Sequence, residues 1–350
     1  MTVDNMAKTL MKKKEFYDKL KNIPKAEIHL HIEAVPTRKF VQKLLVRQDA
    51  KYQDMANVDK VFCYDNLPDF ISAFLLVQGA FKEPEDFAEL MESARDYLID
   101  NGIVYAEMFF APTAFLKKGW KFEQILDFFV KKIDEIYETH HIKIRLLIDV
   151  SRTFGAENAQ NNLDLVCKYG SDKIIGIGLG GNEVKGPAAE YQSVYANAKK
   201  AGLYRVAHAG EDVGPESVWD SIKLLDAQRI GHGISSIQDE NLVKYLADNK
   251  IPLEICPTSN VFTKKYVKKI EEHPIRAFFD KGVIVTVNTD DPTFFNVSLL
   301  DEYWNLYSKL NFTLDEIKQV IINAFEVSFI SDDDKKRYIE EVNKAWEKNF

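Results

Sequence analysis

The hydrophobic positions of this 350-residue chain form short apolar runs separated by longer amphipathic stretches. The runs are rich in β-branched residues and end at Gly, Pro, Asn or Asp, which is typical of buried strands followed by loops. Each stretch between them is long enough for at least one helix. The pattern predicts eight strands, at 26–33, 104–111, 144–150, 174–179, 204–209, 229–232, 252–255 and 283–288.

Alternating strands and helices predict a parallel sheet, and eight strands are the number that closes an α/β, TIM-type (β/α)₈ barrel. An open doubly wound sheet is the competing fold, and it usually carries a Gly-rich phosphate loop after its first strand. No such loop follows 26–33. We therefore expect one barrel domain over 1–350, with 1–23 as a helical extension and 34–103 as a helical insertion after the first barrel strand.

The composition is that of an ordinary folded protein, with 46% hydrophobic residues and a net charge of −8. An acidic balance offers no general attraction for nucleic acid or for an anionic membrane. The chain has 3 cysteines, too few for a disulfide framework, and no apolar run approaches the roughly 18 residues of a membrane span. We expect a cytoplasmic protein without nucleic-acid or membrane partners, and the sequence carries no signal for its oligomeric state.

Polar residues end several predicted strands at the edge where barrel enzymes place their active sites. His29 and His31 stand two positions apart in the first strand, so both side chains point to the same face. His208 lies in the fifth strand, and Asp290 follows the eighth. Three imidazoles and one carboxylate favour one Zn²⁺ per chain, with space left for a water. Zinc lowers the pKa of a bound water enough to make a hydrolytic nucleophile.

Each of these signals has a simpler structural explanation when taken alone. Two histidines in a strand are more often structural, and Asp-Asp-Pro at 290–292 is a common turn or helix cap. Their shared position at one end of one predicted barrel is what favours a metal site. The remaining histidines lie in polar helix-end or loop contexts and are interpreted as structural: His140, His141 and His273.

Five motifs occur in order along the chain, at or near the ends of predicted strands. They are His29-Leu30-His31-Ile32-Glu33, His208-Ala209-Gly210-Glu211, Gly231-His232-Gly233, Cys256-Pro257-Thr258-Ser259-Asn260 and Asn288-Thr289-Asp290-Asp291-Pro292. Together, from about Pro24 to beyond Asp332, the chain resembles the adenosine deaminase family of metal-dependent hydrolases. The resemblance implies a (β/α)₈ barrel with one Zn²⁺ held by His29, His31, His208 and Asp290.

The resemblance also implies a division of roles around a purine ring. Glu211 would donate a proton to N1, and His232 would orient the attacking water and help to handle its proton. Addition at C6 breaks the ring conjugation, so protonation of N1 lowers the barrier. The implied substrate-binding residues are His31, Glu33, Gly181 and Asp291, with the Asp291 side chain at N7 and the Gly181 backbone N–H at N3.

The motifs disagree about the substrate. Glu33-Ala34 stands where adenosine-specific members usually carry Asp-Gly, and Glu is more familiar there in related adenine deaminases. Gly181-Asn182 and Gly231-His232, by contrast, resemble the nucleoside enzymes. Two sites against one favour hydrolytic deamination of adenosine, and of 2′-deoxyadenosine, to inosine and ammonia. Adenine or a modified 6-aminopurine nucleoside is the alternative substrate.

Three other classes are compared with this hypothesis. A binuclear hydrolase of the same superfamily normally bridges two ions with a modified Lys at the end of the fourth strand, and 174–181 contains no Lys. Cytidine-type zinc deaminases carry an H-x-E and P-C-x-x-C signature that is absent here. A non-catalytic purine-binding protein would need none of the proton-transfer residues that the chain retains, and ammonia release distinguishes it from an enzyme.

Overall fold

Eight parallel strands pair side by side in chain order in this computed structural model, which describes residues 11–64 and 67–350. Residues 1–10, the start of the predicted extension, lie outside the described ranges. The expected (β/α)₈ barrel is confirmed. The strands are β1 Lys25–His31, β2 Ile103–Phe110, β3 Lys143–Asp149, β4 Ile174–Gly178, β5 Tyr204–Ala209, β6 Arg229–His232, β7 Leu253–Ile255 and β8 Val285–Val287.

The contact between β8 and β1, which closes the barrel, depends largely on the side chain of Asn288. Asn288 Oδ1 accepts hydrogen bonds from the backbone N–H groups of Ile28 and His29, at 3.0 and 3.1 Å. Immediately beyond, Asp290 and Leu30 form a parallel bridge, and the Asp290 N–H donates to the His29 carbonyl at 3.2 Å. These contacts bring the segment after β8 against the end of β1.

Helices alternate with the strands. In the described ranges the α-helices are α1 Lys13–Leu20, α2 Arg38–Val46, α3 Met55–Val61, α4 Leu67–Gln78, α5 Pro84–Asn101, α6 Thr113–Leu116, α7 Phe122–His140, α8 Gly155–Tyr169, α9 Gln192–Lys200, α10 Pro215–Lys223, α11 Glu240–Asp248, α12 Pro257–Thr263, α13 Ile275–Asp280, α14 Pro292–Phe295, α15 Leu299–Lys309, α16 Leu314–Glu326 and α17 Asp332–Asn349. Every one of them is too short or too polar to traverse a lipid bilayer.

Local sequence explains where these helices begin. Thr313 and Glu316 form a capping box at the start of α16, and Ser298 and Asp301 form another at the start of α15. Such reciprocal bonds satisfy backbone N–H groups that have no partner within the first helical turn. The caps fix the starts of α15 and α16, and α16 packs against β8 and β1.

The segment between β1 and β2 holds helices α2 to α5. Within it, Phe70 and Phe74 of α4 contact the Phe294 ring of α14, with centroid separations of 5.8 and 5.1 Å. Since α14 directly follows Asp290 and Asp291, this aromatic contact places α4 at the carboxyl end of the barrel. This helix, Leu67–Gln78, forms part of the helical insertion expected at 34–103.

An apolar cluster lies inside the barrel just below the carboxyl ends of the strands. Phe109 of β2, Leu147 of β3 and Val206 of β5 form a fully buried cluster that is separate from the larger core between strands and helices. Side chains that alternate along these strands therefore fill the barrel rather than leave a pore. The Phe109 ring forms an apolar floor beneath the polar side chains at the carboxyl end of the barrel.

Candidate active site

Four side chains from β1, β5 and the end of β8 converge at the carboxyl end of the barrel. The donor atoms of His29, His31, His208 and Asp290 lie within 4.8 Å of one another. His31 Nε2 is 3.2 Å from Asp290 Oδ1 and 3.3 Å from His208 Nε2. His29 Nε2 lies 3.5 Å from Asp290 Oδ1. The structure thus brings together the four residues predicted as metal ligands.

These donors fit a divalent cation. His29 Nε2 is buried without a hydrogen-bond partner, and lone pairs of two imidazole nitrogens 3.3 Å apart repel unless a proton or a cation lies between them. Burial, and then the charge of His29, lowers the pKa of His208 well below its usual value. A neutral imidazole is the form that binds metal. A nitrogen-rich set with one carboxylate is typical of zinc.

A second trio of donors, His232, Cys256 and Asp290, also lies within 4.8 Å. It shares Asp290 with the first set, so the two form one centre. Burial, followed by the charge of Asp290, raises the pKa of the Cys256 thiol well above its usual value. A protonated thiol is a poor metal ligand, which leaves the three histidines and Asp290 as the better-suited site.

A buried ion-pair network orients His29 from below. Glu254 Oε2 lies 2.7 Å from His29 Nδ1, and Glu254 Oε1 accepts from Arg229 Nε at 2.5 Å. Burial raises the pKa of Glu254, but Arg229 and His29 together outweigh burial and hold that pKa below its usual value. An ionised Glu254 accepts a hydrogen bond from the Nδ1–H of His29, so the Nε2 lone pair of His29 faces the site.

The same network continues to the other end of the barrel. Arg229 also donates to Glu107, which accepts the Phe329 N–H at 2.6 Å, and the Arg229 guanidinium lies 3.8 Å from the centroid of the Phe329 ring. Sequence reasoning missed Glu107, Arg229 and Glu254. The signal available to it was a charged residue within each of three otherwise apolar predicted strands, because buried charges are retained only when they are paired.

Glu211 lies on a loop that another carboxylate shapes. The backbone N–H groups of 210–213 all donate to Glu183, at 2.6, 3.2, 2.8 and 3.1 Å. Burial, and then the charge of Asp290, raises the pKa of Glu211 well above its usual value. A carboxyl group that keeps its proton at neutral pH can act as a general acid. Sequence reasoning did not single out Glu183.

His232 sits at the end of β6 in the left-handed region, with φ +59°. Its Nε2 is 3.5 Å from Glu211 Oε2 and 4.0 Å from Asp290 Oδ2. Burial lowers the pKa of His232 to about 3, so the ring is neutral. The Gly231 that precedes it is required by packing, because a Cβ at that position would lie 2.7 Å from His29 Cε1.

Two further carboxyl groups lie beside the convergent donors. Glu33 follows β1 in a 3₁₀ turn, where its Oε1 accepts from the Ala111 N–H at 2.8 Å and its Oε2 is buried without a partner. Burial raises the pKa of Glu33 to about 7, despite the opposing effect of His31. Burial and the charge of Asp290 raise the pKa of Asp291 to about 8. Protonated, Asp291 can donate to a ring nitrogen.

Gly181 follows β4 with φ +90°, and a Cβ there would lie 2.7 Å from Thr153 Oγ1. The position therefore requires Gly for its backbone conformation. Asp149, at the end of β3, accepts from the N–H groups of Gly180 and Ser151, each at 2.8 Å. These bonds fix the loop that carries Gly181, and Asp149 is another residue that sequence reasoning missed.

The apolar floor touches three of the four convergent donors. The Phe109 ring centroid lies 4.9, 5.2 and 5.3 Å from those of His29, His31 and His208. Packing thus holds all three rings on one side, and His29 is also held by its hydrogen bond with Glu254. Polar groups converging over an apolar base are the arrangement of a small-molecule site.

A (β/α)₈ barrel that gathers three histidines and an aspartate beside a buried glutamate is typical of metal-dependent hydrolases. The family model described as adenosine deaminase matches residues 24–345, and the chain belongs to that family.

Individual relatives cover nearly the whole chain. An adenine deaminase of Acinetobacter baylyi is 32% identical over 327 residues, spanning 93% of this chain and 98% of that protein. An aminodeoxyfutalosine deaminase of Streptomyces avermitilis is 31% identical over 340 residues, 95% of each. The crystal structure of an adenine deaminase from Arthrobacter aurescens superimposes with a TM-score of 0.88 at 28% identity, covering 93% of this chain and 99% of that one. The protein is thus a deaminase of 6-aminopurines, and adenosine itself is not singled out.

Proposed function

We propose that the protein is an adenine deaminase, which converts adenine and water to hypoxanthine and ammonia. This revises the adenosine expected from two of the three diagnostic motifs. Relatives described as adenine deaminases support the revision, since two of them are 32% identical over 93% of the chain. The structural observation that carries the proposal is the buried oxygen of Glu33 that has no partner.

Glu33 is chemically matched to a free base. Its Oε1 is already engaged by the Ala111 N–H, so Oε2 is the atom left for substrate. Adenine offers an N9–H donor, whereas a nucleoside carries its sugar on that nitrogen and offers no proton there. A buried acceptor left without a donor costs about 1–3 kcal/mol. Binding the free base removes that cost.

The metal centre and the acid have separate tasks. One Zn²⁺ held by His29, His31, His208 and Asp290 would act as a Lewis acid and make water nucleophilic at neutral pH. Glu211, whose pKa burial raises well above its usual value, would donate a proton to N1 as the water oxygen bonds to C6. The C6–N bond then breaks, and the water supplies two protons: one leaves with the amino group as ammonia, and the other restores the protonated carboxyl of Glu211.

The remaining residues position the purine. Asp291, in its protonated form, donates to N7, and the Gly181 N–H donates to N3. Glu33 accepts from N9–H. His232, with Nε2 between Glu211 and Asp290, hydrogen-bonds the attacking oxygen. Each ring nitrogen of adenine is then matched by a group of the opposite hydrogen-bonding character, which fixes the ring with C6 near the metal ligands.

Ammonia release from a substrate panel tests the proposal. The purified zinc-loaded protein is assayed with adenine, adenosine, 2′-deoxyadenosine and AMP, and adenine is expected to have a kcat/KM at least about tenfold above the others. A nucleoside that exceeds adenine would refute the free-base assignment while leaving the chemistry intact. Purine binding without any ammonia would instead identify a non-catalytic binding protein.

A modified 6-aminopurine nucleoside is the second candidate, because the aminodeoxyfutalosine deaminase of Streptomyces avermitilis is 31% identical over 95% of this chain. For that reason the panel also includes an adenine nucleoside with an extended 5′ substituent. If this compound outperforms both adenine and adenosine, the substrate is a modified nucleoside.

A further inference from the structure

The sequence predicts a structural role for His273. In the structure, one side chain, that of Asn260, separates His273 from His232 of the active site. The His273 side chain is buried, with 3% of the residue exposed. His273 Nδ1 accepts a hydrogen bond from the Ile275 N–H at 3.1 Å, and its Nε2 lies 3.2 Å from Asn260 Oδ1. The Asn260 amide nitrogen in turn lies 3.0 Å from His232 Nδ1. A hydrogen-bonded chain therefore links a backbone amide to His232.

The direction of every bond in this chain follows from its first member. A backbone N–H can only donate, so His273 Nδ1 carries no proton and the ring proton is on Nε2. That Nε2–H donates to Asn260 Oδ1, which fixes the amide with its Nδ2 hydrogens toward His232. His232 Nδ1 must accept, and the proton of its neutral ring is on Nε2.

We infer that His273 is a positioning residue which, through the Asn260 amide, sets the tautomer of His232. His232 then presents an Nε2–H to the space beside Glu211 and Asp290. It stabilises negative charge on the attacking oxygen by donating a hydrogen bond, and it does not accept the proton of the water at Nε2. The effect of His273 on the reaction rests on the proposed function, whereas the tautomer of His232 does not.

An amide is well suited to this relay. Asn presents a donor and an acceptor on one rigid group, so fixing one end fixes the other. A carboxylate at position 260 would accept at both ends, and it would therefore draw the ring proton of His232 to Nδ1. Asn260→Asp nearly preserves the shape of the side chain while reversing the hydrogen-bond direction at His232.

The test is ¹⁵N NMR of the histidine rings in zinc-loaded protein, which identifies the protonated nitrogen of each ring. In the wild type, His273 and His232 should both carry their protons on Nε2. In Asn260→Asp, His232 should carry a proton on Nδ1, with unchanged zinc content. For this variant we expect kcat to fall about 10²-fold or more, while KM changes less than about threefold.

A pair of variants at 273 distinguishes positioning from packing. His273→Gln retains an N–H donor toward Asn260, so the tautomer of His232 should persist and kcat should fall less than about tenfold. His273→Leu removes the donor, and a mixture of His232 tautomers with a kcat loss of at least about 10²-fold is expected. His140→Gln, at an exposed position at the end of α7, is the control for histidine replacement.

Several results would overturn the inference. One is a wild-type His232 protonated on Nδ1, another is an unchanged tautomer in Asn260→Asp, and a third is a His273→Leu variant with wild-type tautomer and kcat. If Asn260→Asp fails to fold, the two variants at 273 still decide the question. A wild type that releases no ammonia from any aminopurine refutes the proposed function, and the NMR spectra still report whether the relay exists.

Discussion

In the proposed reaction, the length of the Glu33 side chain would distinguish adenine from adenosine. Its carboxylate reaches the Ala111 N–H on one side and leaves the other oxygen buried and unpaired. Shortening the side chain by one methylene withdraws that oxygen from N9 and opens space where a sugar would lie. A single methylene in a pocket is worth about 1–3 kcal/mol, or 10- to 200-fold in selectivity.

Glu33→Asp should therefore lower kcat/KM for adenine by about 10- to 100-fold and raise the ratio of adenosine to adenine turnover. The measurement is ammonia release from both substrates, with Glu33→Gln as the matched control that keeps the length and removes the charge. An Asp variant that loses activity on both substrates equally would show that Glu33 does not discriminate between base and nucleoside.

Loss of a metal ligand should reduce activity more than loss of Asp291, the carboxyl group proposed to bind N7. His208→Ala removes a ligand and with it the means of activating water, so zinc content and turnover should both fall to background. Asp291→Ala removes one hydrogen bond to the substrate, with an expected loss of about 10²- to 10⁴-fold and full zinc content. Metal analysis beside steady-state kinetics checks this order, which equal zinc loss in both variants would contradict.

At the residue scale, the sequence identified the predicted metal ligands but not the residues that hold them in position. His29 and His31 are two positions apart in one strand, so their common direction follows from strand geometry. Glu254 lies 225 positions from His29, and Arg229 lies 122 positions from Glu107. No local pattern reports such contacts. They follow only from the arrangement of strands around the barrel.

Among the structural elements, the loop after β5 depends on a carboxylate from the loop after β4. Four consecutive N–H groups of 210–213 point at Glu183, which makes an anion-binding concavity filled by the protein's own side chain. Hydrogen bonds to a charged group are stronger than neutral ones. This cradle holds Glu211 toward His232.

Glu183→Gln should loosen that loop while leaving the barrel folded. The amide has one acceptor atom for four donors, so we expect a loss of about 2–3 kcal/mol in the free energy of unfolding and at least about a tenfold fall in kcat. Hydrogen exchange should accelerate at residues 210–213 specifically. Uniform acceleration across the barrel would indicate a general loss of stability and would contradict a local role.

For the whole molecule, the closure between β8 and β1 is the least regular part of the barrel. The predicted strand 283–288 is observed as Val285–Val287, and just beyond it the Asn288 side chain replaces backbone pairing with β1. Periodicity predicts the number and order of strands, since each apolar run is a local property. It does not predict where a side chain takes over the pairing.

Asn288→Ala should leave the backbone donors of Ile28 and His29 without acceptors in the core. Two buried unsatisfied N–H groups cost about 2–6 kcal/mol together, so a clear drop in the denaturant midpoint is expected. Zinc affinity should fall as well, since His29 is one of the two residues released. Chemical unfolding and competition with a chelator measure the two effects, and an unchanged midpoint would show that water satisfies both donors.

The network beneath His29 has a consequence for the carboxyl-terminal part of the chain. Arg229 Nη1 donates to the Val327 carbonyl at 3.0 Å, and the Phe329 N–H is held by Glu107. The stretch that joins α16 to α17 therefore covers the amino-terminal opening of the barrel. It is connected through the buried ion pairs of Arg229 to His29, one of the predicted metal ligands. Substitutions at this opening should therefore lower zinc affinity before they cause measurable unfolding.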